Sequence, residues 1–261
     1  MPELPRELER EIFELALLCD RKDAALKLAL SLVARRVQFW VDLVFYKMVT
    51  ISNEKDAEKF AKLIASSLKP PGFFAAVKTL CIPYKVTAGQ ACAILSACTG
   101  VQFLACWIDS KNCPELPLLL CRLPLRRLSV EFQHLLKIPL VPSAWFSNLT
   151  HLELVIWENS GVPELDFSTL GRLPSITHVA LPSAQTGPTH AAVVCSSCPN
   201  LQVLVIIRDP FNDQVEDYSF DIRIVMLDDD LEDCMTEWEA YHFGLPDMWS
   251  RAEEVVQKRK L

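Results

Sequence analysis

The sequence predicts an α/β fold: a solenoid of short parallel strands joined by helical or irregular returns, with a small helical module in front of it. Two observations carry this expectation. An apolar-x-x-apolar-x-apolar frame recurs at near-constant spacing between residues 77 and 206, whereas the first 50 residues lack the frame and show the apolar periodicity of amphipathic helices. At 261 residues, 51% of them apolar, the chain is long enough for one elongated body with a sizeable core.

The frames are Val77-x-x-Leu80-x-Ile82, Val101-x-x-Leu104-x-Cys106, Leu125-x-x-Leu128-x-Val130, Leu149-x-x-Leu152-x-Leu154, Ile176-x-x-Val179-x-Leu181 and Leu201-x-x-Leu204-x-Ile206. Their first anchors lie 24, 24, 24, 27 and 25 residues apart. The last two anchors of each frame are two residues apart, which puts them on one face of a strand. A unit this short buries its apolar face only against its neighbours, so the strands are expected side by side in chain order. Leucine-rich repeats have periods of about 20 to 29 residues, and a leucine-rich-repeat-like solenoid is expected over 77–227.

The segments between frames fit the return path. Thr87 to Cys98 reads as a short helix with Thr87 as its cap, burying Cys92, Ile94 or Leu95, and Cys98. Thr189 to Cys198 is a second of the same kind. Cys98 and Cys198 each precede a first anchor by three residues, so Cys198 has a packing role at a helix-to-strand bend. That equivalence weakens the metal or redox reading of Cys195-Ser-Ser-Cys198, which no second Cys pair or His pair completes. Residues 155 to 170 form a loop insertion. A seventh frame, Ile222-x-x-Val225-x-Leu227, is read as the last strand, and 228–261 as an acidic segment and a C-terminal cap. Within that cap 231–243 and a helix over 248–260, started by Asp247, cover the exposed last layer.

Ahead of the frames, Glu7 to Leu18 is helical, with Leu8, Ile12 and Leu15 on one stripe and Phe13 widening it. A second helix is expected over Ala24 to Val37 with Leu26, Leu30 and Val33 or Val37 inward, followed by Trp40, Val41 and Phe45 and by a strand over Lys47 to Ile51. Residues 1–50 form this module. The stretch 51–76, with a helix over Glu54 to Leu68 and the break Lys69-Pro-Pro-Gly, connects it to the first frame.

The opening Leu4-Pro5-x-Glu7-Leu8-x-x-x-Ile12-Phe13-x-Leu15, joined to Val33-Ala-Arg-Arg-Val-Gln-Phe-Trp40, resembles an F-box. Together with irregular leucine-rich repeats, an acidic segment and the ending Met248-Trp-Ser-Arg-Ala-Glu253, it is similar to the F-box-like proteins common in mushroom-forming fungi. The chain departs from the usual pattern at Cys19 to Asp23 and in its alanine-rich second helix. The resemblance implies a substrate receptor of a cullin-RING ubiquitin ligase, without chemistry of its own. In that role Leu4, Pro5, Leu8, Ile12, Phe13, Val33 and Trp40 face the Skp-family adaptor, while the repeats recruit a target protein. The alternative is a stand-alone interaction module whose N-terminal helices only cap the solenoid.

Charge and chemistry narrow the remaining classes. The net charge is -7, and the acidity is concentrated late: residues 207–261 hold 15 acidic and 6 basic side chains. That balance argues against nucleic acid as a partner. Twelve acidic residues and one basic lie between Asp209 and Glu239, a density suited either to steering a basic partner or to plain solvation. The uncharged stretch 86–108 is too rich in small and polar residues for a spanning helix, so no membrane role is expected. No leader is read at the N-terminus, and a cytoplasmic or nuclear address follows. Ten cysteines among apolar neighbours are expected reduced and metal-free, no glycine-rich phosphate loop is present, and no cofactor is expected. On the concave strand face Arg127, His151, Glu153 and His178 are the candidates for touching a target. His151 and His178 each fall two residues after a first anchor in neighbouring repeats, within reach of one another, and are read as exposed surface with no catalytic role.

Overall fold

The computed structural model describes residues 4–19, 24–138, 144–157, 165–208, 216–228 and 234–261. One sheet of eight parallel strands runs through it in chain order. The strands are β1 (Met48–Thr50), β2 (Thr79–Ile82), β3 (Phe103–Cys106), β4 (Arg127–Glu131), β5 (His151–Val155), β6 (His178–Pro182), β7 (Val203–Arg208) and β8 (Ile224–Asp228). From β2 to β7 the register sets Leu80, Leu104, Leu128, Leu152, Val179 and Leu204 in one row. Every member of that row is buried, because each points into the core beneath the return segments. The parallel order expected from the frames is therefore observed, with β1 as an additional rung.

In front of the sheet, α1 (Arg6–Cys19), α2 (Ala24–Ser31) and α3 (Arg35–Phe45) enclose a small core of Leu17, Val37 and Val41, against which Phe13, Leu30 and Trp40 pack. The single helix expected over Ala24 to Val37 is broken. Ser31 turns its hydroxyl back to the Lys27 carbonyl, Ala34 is extended, and the chain restarts at Arg35. The stripe on α1 stays in water: Leu8, Ile12 and Leu15 are about half exposed, and Phe13, expected to widen it, turns inward with Leu17 instead. A bidentate Arg36–Glu9 pair ties α3 to α1. The module meets the sheet through Tyr46, which packs among Phe60, Phe73 and Phe74, and through the Lys69–Asp42 ion pair.

The returns lie on one face of the sheet. They are α4 (Glu54–Ala65), α5 (Ala88–Ala97), α6 (Leu116–Leu120), α7 (Phe132–Lys137), α8 (Ala144–Asn148) and α9 (Pro188–Ser197), with short 3-10 turns at Phe73–Ala76, Phe167–Arg172 and Ser183–Gln185. Since α4 joins β1 to β2 and packs beside α5, the stretch expected as a connector is the first return of the sheet itself. Thr87 caps α5 reciprocally with Gln90, and Cys98 and Cys198 close α5 and α9 in equivalent buried positions. At the next bend Gly100 has no room for a side chain, because a Cβ would lie 1.9 Å from the Ala75 carbonyl oxygen. Among the described residues no helix is long and apolar enough to cross a membrane.

The last frame is shifted by one residue from its expected register. Leu204 pairs with Ile224 and Ile206 with Met226, so Ile224 enters the core while Ile222 is exposed and Val225 turns to the opposite face. Ile222, Ile224, Val225, Met226 and Leu227 are all apolar, so the pattern alone did not choose between the two registers. A polar clamp chooses: the Asp221 carboxylate accepts from the Arg223 amide and guanidinium, which in turn donates to the Leu201 and Cys195 carbonyls. Ile224→Ala is expected to cost about 2–4 kcal/mol in urea unfolding. Ile222→Ala is expected to cost less than about 0.5 kcal/mol, and the reverse ranking would restore the other register.

Candidate functional site

Opposite the core, alternate strand residues make a second face. One row runs Thr79, Phe103, Arg127, His151, His178, Val203, and the next runs Cys81, Ala105, Ser129, Glu153, Ala180, Val205, Val225. The second row is mostly small, which lets helices approach closely. Two do: α10 (Cys234–Phe243) and α11 (Met248–Arg259). Met235 and Trp238 of α10 pack with Cys81, Ala105, Trp107 and Val155. Trp249, Ala252 and Val256 of α11, three and four residues apart on one stripe, pack on Ala180, Val203, Val205 and Val225. Gly244 takes a left-handed conformation (φ 68°) that ends α10, and the Leu245 amide donates back to the Ala240 carbonyl. Asp247 then opens α11 by accepting from the Ser250 amide, while the Ser250 hydroxyl receives the Asp247 N–H.

The C-terminal segment, expected as a cover for the last layer of the solenoid, thus crosses the strand face instead. The surface expected to be open for a target is occupied by the chain's own helices. Arg127 is mostly covered: its guanidinium donates to Asp247 Oδ2 at 2.6 Å and lies 3.9 Å over the Tyr241 ring. Burial alone would raise the Asp247 carboxyl, but the Ser250 amide and Arg127 outweigh it and hold the group below the ordinary aspartate value. Glu153 lines a cavity of about 90 Å³ between the sheet and the two helices, with Trp107, Trp238 and Trp249 around it. That volume admits water rather than a metabolite-sized ligand.

His151 and His178 meet as expected, though not as exposed groups. Their rings stack in parallel, 4.1 Å between centroids and 5° between planes, with the edge of Trp249 against both. His178 is 3% exposed. Burial, with His178 and Arg127 alongside, pushes His151 down to about 2, and burial also lowers His178 against the opposing pull of Glu253. Both imidazoles are therefore neutral at pH 7. Glu253 of α11 places Oε1 2.9 Å from His178 Nε2, and the donor atoms of His151, His178 and Glu253 lie within 4.8 Å of one another. Sequence reading passed over Glu253. The available signal was its place one helical turn after Trp249, on the face that the apolar stripe turns inward.

A second group of potential ligands, Cys92, Cys113 and Glu115, lies among the returns, with the two sulfurs 3.4 Å apart. Burial pushes the Cys113 thiol up to about 12, and it does the same to Cys98, Cys106 and Cys195. Cys195 and Cys198 belong to no such group among the described residues. Of the acidic segment, 209–215 and 229–233 lie outside the described residues. Within the remainder Asp221 pairs with Arg223, Asp228 with Arg208 and Glu237 with Arg251, and Glu239 accepts from the Thr50 hydroxyl.

The adaptor-facing candidates divide into two sets. Leu4, Pro5, Leu8, Ile12 and Val33 are exposed, whereas Phe13 and Trp40 are half-buried in the module's own core, their rings 6.5 Å apart. No protein-family model matches the chain, and no curated protein matches it. What the coordinates establish is an α/β protein whose parallel sheet carries short helices on one face and its own C-terminal helices on the other.

The Asp247 side chain performs two tasks, and the two are separable. Asp247→Ala removes both the cap and the Arg127 partner and is expected to destabilise the protein by about 3 kcal/mol in urea unfolding. Asp247→Asn keeps a capping oxygen and is expected to cost about 1 kcal/mol less, since capping is worth roughly that much. Equal losses would show that the cap contributes nothing.

Proposed function

We propose that the chain is a non-enzymatic protein-interaction module, a leucine-rich-repeat-like solenoid whose docking surface is its N-terminal helical module. The observation that carries this reading is the stripe Leu4, Leu8, Ile12 and Leu15. Each of these side chains is about half exposed, Leu8, Ile12 and Leu15 on one side of α1 and Leu4 just ahead of it, while the helix anchors itself through Phe13 and Leu17 on another side. A helix that commits one apolar side to its own core and leaves a second in water has the form of a helix-face binding element. The strand face is the weaker docking candidate, because Arg127, His151 and His178 are engaged by α10 and α11.

A second reading names the partner. Four residues that carry the F-box resemblance, Leu4, Leu8, Ile12 and Val33, are among the exposed apolar side chains and are open to a Skp-family adaptor, which would give the chain a receptor role in a cullin-RING ligase. In that role the target protein would bind elsewhere on the solenoid or after the C-terminal helices are displaced.

The test is calorimetry or size exclusion with a purified Skp-family adaptor. Binding tighter than about 100 µM, roughly -5.5 kcal/mol, is expected. Ile12→Asp should abolish it while shifting unfolding by less than about 0.5 kcal/mol, the range of surface substitutions. Absence of binding would remove the adaptor reading and leave the interaction module. Unfolding of the Ile12→Asp chain would remove both, because the stripe would then be core.

A further inference from the structure

We propose that His151, His178 and Glu253 form a binding site for one divalent transition-metal ion of the zinc type, and that the ion pins α11 to the sheet. The ligands come from β5, β6 and α11, so the site exists only while the helix is docked. Each residue offers one donor atom, and the three atoms lie within 4.8 Å of one another.

The hydrogen bonds behind the imidazoles couple two threonine hydroxyls to the tautomer of each ring. Thr150 Oγ1 donates to the Arg126 carbonyl at 3.2 Å and lies 2.8 Å from His151 Nδ1. One repeat later, Thr177 Oγ1 donates to the Thr150 carbonyl at 3.2 Å and lies 2.8 Å from His178 Nδ1. A hydroxyl has one proton. The tautomer in which each threonine gives its proton to the carbonyl and accepts from Nδ1–H puts both lone pairs on Nε2, and it is the tautomer that the proposed ion requires. This is the outer-shell arrangement that orients metal-ligating imidazoles and sets their tautomer.

Three donors lie together, and because the parallel rings direct their lone pairs side by side, both imidazoles must turn toward the ion as it binds. His178 Nε2 is buried and has no well-aligned hydrogen-bond partner among the described residues, although Glu253 Oε1 is 2.9 Å away. In the Nδ1–H tautomer a cation is needed between that lone pair and the carboxylate; in the other tautomer an Nε2–H proton makes the same contact an ordinary hydrogen bond. Charge agrees, since Arg127 is paired with Asp247 and, among the described residues, no Lys or Arg pairs with the Glu253 carboxylate beside the two rings. Two imidazoles and one carboxylate suit zinc and its neighbours and not calcium or magnesium, which take oxygen. Tetrahedral zinc, with bonds of about 2.0–2.1 Å, needs donors about 3.3 Å apart. The half-exposed Glu253 is free to adjust, and the imidazoles close the rest of the gap by turning out of their parallel stack.

The experiment uses the full chain, stripped with a chelator and titrated with Co²⁺ by visible absorption, then with Zn²⁺ in competition. One equivalent should bind, with ligand-field bands and no thiolate charge-transfer band. Glu253→Gln should weaken binding at least about ten-fold and His178→Asn at least about a hundred-fold, given that even outer-shell losses cost 10- to 100-fold. The pair Cys92→Ser with Cys113→Ser should leave binding unchanged. Glu253 is half exposed, so its variant tests the site in a folded chain even where His178→Asn fails to fold. Bound Zn²⁺ should also slow amide exchange in α11 of the wild type and not in Glu253→Gln. No binding by about 100 µM metal, a threshold of roughly -5.5 kcal/mol, would overturn the proposal. So would undiminished binding in Glu253→Gln, or thiolate bands that vanish with the cysteine substitutions.

Discussion

A parallel sheet must be covered on both faces, and the structure follows from that requirement. Parallel strands are joined by crossovers, which cover one face as they return and leave the other to be covered separately. Here α4 to α9 are the crossovers, and the core they enclose takes in the anchor row from Leu80 to Leu204. On the other face, Ala180, Val203, Val205 and Val225 would form an apolar patch in water; α11 buries them, and α10 does the same for Cys81, Ala105 and Trp107. The C-terminal segment is therefore part of the sheet's packing rather than a lid on its last rung.

Polar contacts set where this second layer sits. Arg127 stands in the middle of the strand face and touches both helices, α10 through the Tyr241 ring and α11 through Asp247. An apolar patch is non-directional, so apolar contact alone would let a helix slide along it. A guanidinium held by the cap residue of α11 does not allow that slide. The histidine stack lies next to the same contact and meets the helix through Trp249 and Glu253, so the chemically richest part of the molecule is also the seam between sheet and helix. Any partner or ion that engages this face acts on the docking of α11.

The N-terminal module obeys a different constraint. Its core of Leu17, Val37 and Val41 is small, and it joins the sheet through Tyr46 and through β1, which adds one rung. The apolar residues it leaves exposed take no part in that junction. Their exposure is therefore available for contact with another molecule, which is why the module carries the proposed docking role.

The order of the strands, the identity of the buried anchors and the capping of α5 and α11 were legible in the chain, because each depends on local spacing: a two-residue alternation, a repeat of about 24 residues, and Thr87 or Asp247 one residue before a helix. The meeting of His151 and His178 was legible for the same reason, since equivalent positions in adjacent repeats become neighbours across a sheet. Which side of α1 turns inward was not, because Leu8, Ile12, Phe13 and Leu17 are all apolar and only the position of α3 selects among them. The register of β8 needed the Asp221–Arg223 clamp. The covering of the strand face by α10 and α11, with Glu253 carried to His178, joins residues some 75 positions apart. Periodicity along the chain determines which side of each element is apolar; only tertiary packing decides which apolar sides meet, because hydrophobic contact carries no address of its own.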